Sequence, residues 1–239
     1  MSATELIAPL PEEDDLPPTW GVLERLGRAL HVKEAGLEPT LDAILRVVVD
    51  VVDPAEAAGV NLYVRGVFVP QQVFGSAPHR IDLWQQQHHT GPCIDASRDQ
   101  TTVRVDDTAG DPRWPGLGDL AASLGVCSML CVPLWVDDTR LGSLSLYAGR
   151  PGAFADRDER LAGLVATQAA LALADAQRTE QLRTMAHNRD LIGQAKGILM
   201  ALHKVTADEA FDLLRTSSQQ TNRKLLQVAE TVVETGTVG

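Results

Sequence analysis

Cysteine is scarce: Cys93, Cys127 and Cys131 are the only three among 239 residues. They form neither an even disulfide framework nor a paired C-x-x-C zinc set, so they are most simply free thiols. Long apolar runs are missing too, and nothing approaches the roughly 18 consecutive apolar residues that a membrane helix needs. The opening MSATELIAPLPEEDDLPP has no basic segment and no apolar block ahead of a cleavage site, so a cytoplasmic protein without membrane attachment is expected. Basic charge is in deficit, with 21 Lys and Arg against 32 Asp and Glu and a net charge of −11. That balance excludes an indiscriminately basic nucleic-acid coat. No phosphate-binding GxxxxGK, HExxH or catalytic-triad motif occurs, so neither enzyme activity nor a cofactor is expected.

What is present suffices for two modules, or for one module and a helical extension. Hydrophobic residues make up 44% of the chain. Residues 1–19 carry Glu5, Glu12, Glu13, Asp14 and Asp15 with no base and several prolines, and are expected to be disordered. Val22, Leu23, Leu26 and Leu30 then recur at helical spacing, as do Leu41, Ile44, Leu45 and Val48 after Pro39. Strand patterns follow at 57–64, 67–74, 101–107, 127–136 and 141–148, the last two joined by Asp137 to Arg140 as a hairpin. Short helical pieces at 81–87 and 115–124 lie between them. The expected class is α+β, an antiparallel sheet flanked by helices.

From Asp156 to about Asp190 the chain reads as one long helix, opened by Asp156-x-x-Glu159, which is close to a capping box. Leu161, Leu164, Leu171, Leu182 and Met185 fit a heptad seam into which Gln168, Asp175 and Arg178 also fall. A connector over 156–188 that supports a homodimer is the expectation. The remaining residues divide into three helices. His203-Lys204-Val205 ends the first, Thr206-x-x-Glu209 opens the second, Thr221-Asn222 starts the third, and Gly236 stops it.

The first of these helices contains RDLIGQAKGILMALH, with Gly193 and Gly197 in its interior. Each should destabilise the helix by about 1 kcal/mol relative to alanine. At 100° per residue, Leu191, Ile192, Ala195, Ile198, Leu199 and Leu202 form the side that packs on the other two helices. Gly193, Gly197, Met200 and Lys204 fall together on the opposite side, bordered by Lys196. Two readings stand: a helix packed closely on a neighbour, or a docking strip where a sugar-phosphate backbone approaches and lysines supply charge. Around this strip, residues 189–224 hold six bases against four acids, reversing the sign of the chain as a whole.

The blocks IGQAKGILM (192–200), TADEAFDLLRTSSQQTNRKL (206–225) and VAETVV (228–233) closely resemble the ANTAR domain, a three-helix RNA-binding module of bacterial transcription antitermination regulators. The region 20–175 resembles a GAF domain of the sort found ahead of ANTAR domains in actinobacteria, through GPCIDAS (91–97), DPRWP (111–115), GVCSMLCVPL (125–134) and LGSLSLYA (141–148). The acidic and aromatic set of cyclic-nucleotide-binding GAF domains is missing, as is an aspartate-centred receiver. The implied organisation is a sensor domain over 20–155, the connector over 156–188 and an RNA-binding domain over 189–239. The implied function is capture of a hairpin antiterminator in a nascent transcript, gated by an unknown small molecule in the sensor.

Within the motif, Gln194, Lys196, Gly197, Lys204, Ser217, Asn222, Arg223 and Lys224 are the expected RNA-binding residues. Arg223 suits base stacking or a phosphate fork, and Lys196 and Lys224 suit phosphate charges. Asn222, as a helix cap, would add free backbone N–H groups to an anion site. Capping alone also explains Asn222, and the polar end of a helix explains Ser217 and Ser218. Cys93 and Cys127 are candidates for a sensor pocket. The competing function is a GAF-type thiol enzyme such as a free methionine sulfoxide reductase, although no activating base adjoins any cysteine. A third reading is a signalling protein that only dimerises. His88-His89 lacks neighbouring ligands at metal spacing, and Asp106, Asp107 and Asp111 read as loop caps.

Overall fold

Two hairpins, with strands Ala57–Val64, Ser128–Val136 and Thr139–Ala148 mostly buried on both faces, form the sheet at the centre of the N-terminal unit. The computed structural model describes residues 36–237, together with Gly21 and Gly27. The acidic segment 1–19 lies outside the described residues, as does the helix expected from Trp20 to Leu30 except at Gly21 and Gly27, which are helical. The chain divides into two compact units after Gln177.

The first unit runs α1 (Leu37–Val51), β1 (Ala57–Val64), β2 (Val67–Phe74), α2 (Pro78–His88), α3 (Pro92–Asp99), β3 (Val103–Val105), α4 (Leu117–Ser123), β4 (Ser128–Val136) and β5 (Thr139–Ala148). It closes with the N-terminal part of the long helix α5 (Asp156–His203). The strands form one antiparallel sheet in the order β2-β1-β5-β4-β3. Leu130, Val132 and Leu134 of β4 and Leu144 and Leu146 of β5 face the core shared with α1 and with Val165, Ala169 and Leu173 of α5. The alternate residues Met129, Cys131 and Tyr147 face a second core with Ile81, Cys93, Trp114 and Ala121 from the α2, α3 and α4 side. A pleated strand presents successive side chains to opposite faces, so one segment supplies two cores.

The β4–β5 hairpin is tighter than its sequence suggests. Val136 pairs directly with Thr139, and Asp137 adopts a left-handed conformation with φ 51° in the two-residue turn. Gly142 lies against β1, where a Cβ would run into the Asn61 carbonyl oxygen. The α3 helix went unread in the sequence because it is short and polar, opening on Pro92 behind Gly91 at φ 142°. The expected strand at 101–107 shrinks to Val103–Val105.

Helix α5 opens differently from the expected capping box. The Ala155 N–H donates to Asp158 Oδ2, while Asp156 and Glu159 both pair with Arg104, at 2.9 and 3.7 Å. Its heptad positions also separate: Leu161 belongs to the first unit's core, whereas Leu171, Leu182 and Met185 are exposed.

The second unit packs the C-terminal end of α5 with α6 (Ala207–Thr221) and α7 (Leu225–Thr235) around Ala195, Leu199, Ala210, Leu214, Val228, Ala229 and Val232. Leu191, Ile192 and Ile198 join this core, but Leu202 does not and is 60% exposed. At the α5–α6 corner Lys204 takes φ 55°, and the Thr206 capping box forms as expected. Thr206 Oγ1 accepts from the Glu209 N–H, and the Thr206 N–H donates to Glu209 Oε2 at 2.8 Å. The Thr206 N–H and the Thr206 hydroxyl, both donating to Glu209 Oε2, hold the Glu209 carboxyl below its usual pKa range. Gly236, at φ 75°, ends α7.

Candidate nucleic-acid interface and sensor core

The strip opposite the second unit's core is open. A Cβ built on Gly193 or on Gly197 meets nothing within 4 Å, and both residues are exposed. Close packing within the described chain therefore does not account for these glycines. Gln194, Met200 and Lys204 are exposed beside them, and Lys196 is half-buried. Gly193 and Lys196 also line a groove of about 520 Å³ with Met185, Asn188, Arg189, Ile192 and Phe211. The Lys196 ammonium lies 5.9 Å from the centroid of the Phe211 ring. Arg189, Lys196, Lys204 and Lys224 make no ion pair among the described residues, whereas Arg215 is paired with Asp212 at 2.9 Å.

The α6–α7 corner corrects two expectations. Asn222 does not cap α7: it ends α6 in a left-handed conformation with φ 52°, and its N–H donates to the Ser218 carbonyl. Asparagine tolerates this backbone conformation better than most residues, which suits it to a C-cap. The N-cap of α7 is Lys224, whose N–H donates to Gln227 Oε1 at 3.2 Å. Arg223 lies along α7, donating to the Gln227 carbonyl at 3.2 Å and to Thr231 Oγ1 at 2.9 Å. Lys224 is exposed. Ser217 is buried and so is withdrawn from the surface, while the Ser218 hydroxyl donates to the Arg223 carbonyl at 2.6 Å.

In the first unit the sheet and α2–α3 enclose a polar cluster. Tyr147 Oη donates to Asp82 Oδ1 at 2.7 Å, and Gln85 Nε2 approaches the same oxygen at 3.3 Å. Gln85 Oε1 accepts from the Cys93 N–H, Ser145 Oγ lies 2.9 Å from Cys93 Sγ, and the Cys93 and Cys131 sulfurs are 3.3 Å apart. Asp82 Oδ2 and both amide atoms of Asn61 have no hydrogen-bond partner among the described residues. Burial, only partly offset by the bond from Tyr147, raises the Asp82 pKa to about 6. The Cys131 and Tyr147 pKa values are also pushed up, chiefly by burial. A thiol held protonated in this way is a poor nucleophile.

An open cavity of about 230 Å³ abuts this cluster. Glu56, Ser76, Leu124 and Tyr147 are among the residues lining it, but Cys93 and Cys127 are not. Cys127 lies just before β4 and is half-buried, so it is not on the shared inward face with Met129 and Cys131. Asp107 and Asp111 accept from the N–H groups two residues on, as loop caps do, while Asp106 pairs with Arg104. His88 stacks on Trp84, and among the described residues no group of three or more His, Cys, Asp or Glu side chains is arranged to hold a metal. No described helix is long and apolar enough to cross a membrane.

Sequence spacing did not reveal the groove, because Phe211 and Lys196 meet across two helices. Nor did it reveal the polar cluster of Asp82, Gln85, Cys93, Cys131, Ser145 and Tyr147, which is assembled from α2, α3, β4 and β5. The one available signal was that Phe211 is the sole Phe, Tyr or Trp in residues 178–239.

Comparison with known proteins places both units. Residues 34–174 match the GAF domain family and residues 180–233 match the ANTAR domain family. No curated protein matches the chain. Among solved structures, the GAF domain of an Acinetobacter phosphoenolpyruvate-protein phosphotransferase aligns at TM-score 0.56 and 16% identity, covering 70% of this chain and 99% of that one. A domain of a two-component sensor histidine kinase protein from Sinorhizobium meliloti, described as putative, aligns at 0.53 and 16%, covering 63% and 99%. The free methionine-R-sulfoxide reductase of Neisseria meningitidis, solved with its substrate, aligns at 0.53 and 18%, covering 66% and 89%. At these identities the likeness shows the fold alone.

Proposed function

Because the chain belongs to the GAF domain family and ends in an ANTAR domain, we propose that it is an antitermination regulator that captures a hairpin in nascent RNA and thereby lets polymerase pass a terminator. The ANTAR domain is the RNA-binding module, and the GAF domain is the sensor. The observation that carries this reading is the bare strip at Gly193 and Gly197, bordered by cations that have no carboxylate partner among the described residues. Folded RNA is read through loop bases and backbone shape, which needs a compact surface with a few cations more than a strongly basic protein.

Gln194, Lys196, Gly197, Lys204, Arg223 and Lys224 are the proposed contacts. Lys196, Lys204 and Lys224 supply phosphate charges, and the left-handed corner at Asn222 sets the approach of Arg223 and Lys224. The exposed Leu171 and Leu182, at 51% and 59%, support homodimerisation along α5. A small molecule bound in the sensor cavity at Tyr147 would act on RNA capture through α5, the helix to which both units contribute.

Lys196→Ala and Arg223→Ala test the reading. Each should weaken binding to hairpin RNA recovered by crosslinking in cells. Loss of a phosphate contact should also reduce the salt slope by about one per contact. Wild-type affinity in both variants would show that the assigned face is wrong.

A further inference from the structure

Resting on that RNA-binding reading, we propose that the groove at Phe211 is a stacking pocket for one unpaired nucleobase of the RNA loop, with its adjoining phosphate held by Arg189 and Lys196. Phe211 is the sole Phe, Tyr or Trp of residues 178–239, yet it stands 37% exposed while Leu, Val and Ala fill the core. An aromatic ring left out of a core of aliphatic side chains, and turned into a groove, is available for a flat ligand.

The surroundings define that ligand further. Gly193 has no side chain to intrude on the groove, which leaves room for a plane laid against the ring. Ile192 and Met185 provide apolar walls, and the Asn188 side-chain amide offers both a donor and an acceptor to a base edge. Two cations line the groove and no carboxylate does. The Lys196 ammonium, 5.9 Å from the ring centroid, sits on a flexible stem that lets it move to a phosphate beside the stacked base. An aromatic face, an edge-reading amide and two cations with no ion pair among the described residues together match a nucleotide, and bases splayed from RNA loops bind on such platforms. An apolar segment of a second copy would leave both cations without partners.

The experiment uses the full-length protein and a hairpin RNA selected on it from a pool with a randomised loop. Each loop nucleotide is replaced in turn by an abasic one, and the series is bound to wild type, Phe211→Leu and Phe211→Trp. The expected result is that one abasic position lowers wild-type affinity about ten-fold or more, the scale of a lost stacking contact. Phe211→Leu should lose a similar factor on intact RNA and little more on that abasic RNA, while Phe211→Trp should bind the intact loop like wild type.

The pocket is refuted if no loop position is sensitive to base removal in the wild type, a result that does not depend on how any variant folds. It is also refuted if Phe211→Leu binds intact RNA normally, or if that variant shifts dimerisation alone, which would assign the groove to a second copy. In these cases, weakened binding by Lys196→Ala would leave the RNA reading standing. Failure of the wild type to select any RNA would overturn both.

Discussion

Gly197→Ala separates the stability of α5 from its use as a docking surface. Alanine is favoured over glycine inside a helix by about 0.8–1.0 kcal/mol. The added methyl meets nothing within 4 Å, so no steric penalty offsets that gain. For a unit of this size, about 1 kcal/mol corresponds to a rise in Tm of roughly 4–8 °C. The same methyl would project from the strip into an RNA backbone seated against it. Overpacking a fitted contact costs about 1–3 kcal/mol, equivalent to a loss of about five- to 150-fold in affinity. Thermal melting followed by helical circular dichroism measures the first effect, and hairpin titration at fixed salt measures the second. A variant that is more stable and binds RNA unchanged would refute the reasoning that nucleic acid keeps this position bare. A destabilised variant would refute the open strip itself.

Asp82→Asn should stabilise the N-terminal unit at neutral pH. With a folded pKa raised to about 6, the native state takes up its proton before the unfolded chain does, so stability falls as pH rises from roughly 4 to 6 and is level above. The difference amounts to about 3 kcal/mol, and asparagine abolishes this dependence while its Oδ1 still accepts from Tyr147. Parallel pH-melting curves of the two proteins in that window would count against a buried, raised Asp82. Thr206→Ala removes the acceptor for the Glu209 N–H and should destabilise the second unit by about 1 kcal/mol. An unchanged melt would mean that the α5–α6 corner is held by other contacts.

Local patterns disclosed much of this architecture. The β4–β5 hairpin was legible because two short apolar runs are separated by the polar turn residues Asp137 and Asp138. The Thr206 box and Gly236 follow from the backbone groups that helix ends leave unpaired. The α6–α7 corner was misread because asparagine serves both as an N-cap and as a left-handed C-cap, and sequence alone does not show whether the chain turns before or after it. Leu202 satisfies helical periodicity but lies past the last core layer, where periodicity carries no information on depth. The polar cluster at Asp82 was hidden because its members are far apart in sequence, with Tyr147 donating across 65 positions. Cys93 was singled out as a pocket residue, but burial places its sulfur against Cys131, away from the open cavity.

The distribution of aromatic side chains makes the two units optically distinct. All four tryptophans and both tyrosines precede residue 178, so tryptophan and tyrosine absorption and emission report on the sensor side alone. Melting of the C-terminal three helices would pass unseen by tryptophan fluorescence, and a single reporter indole placed there would be read against a background from the other unit.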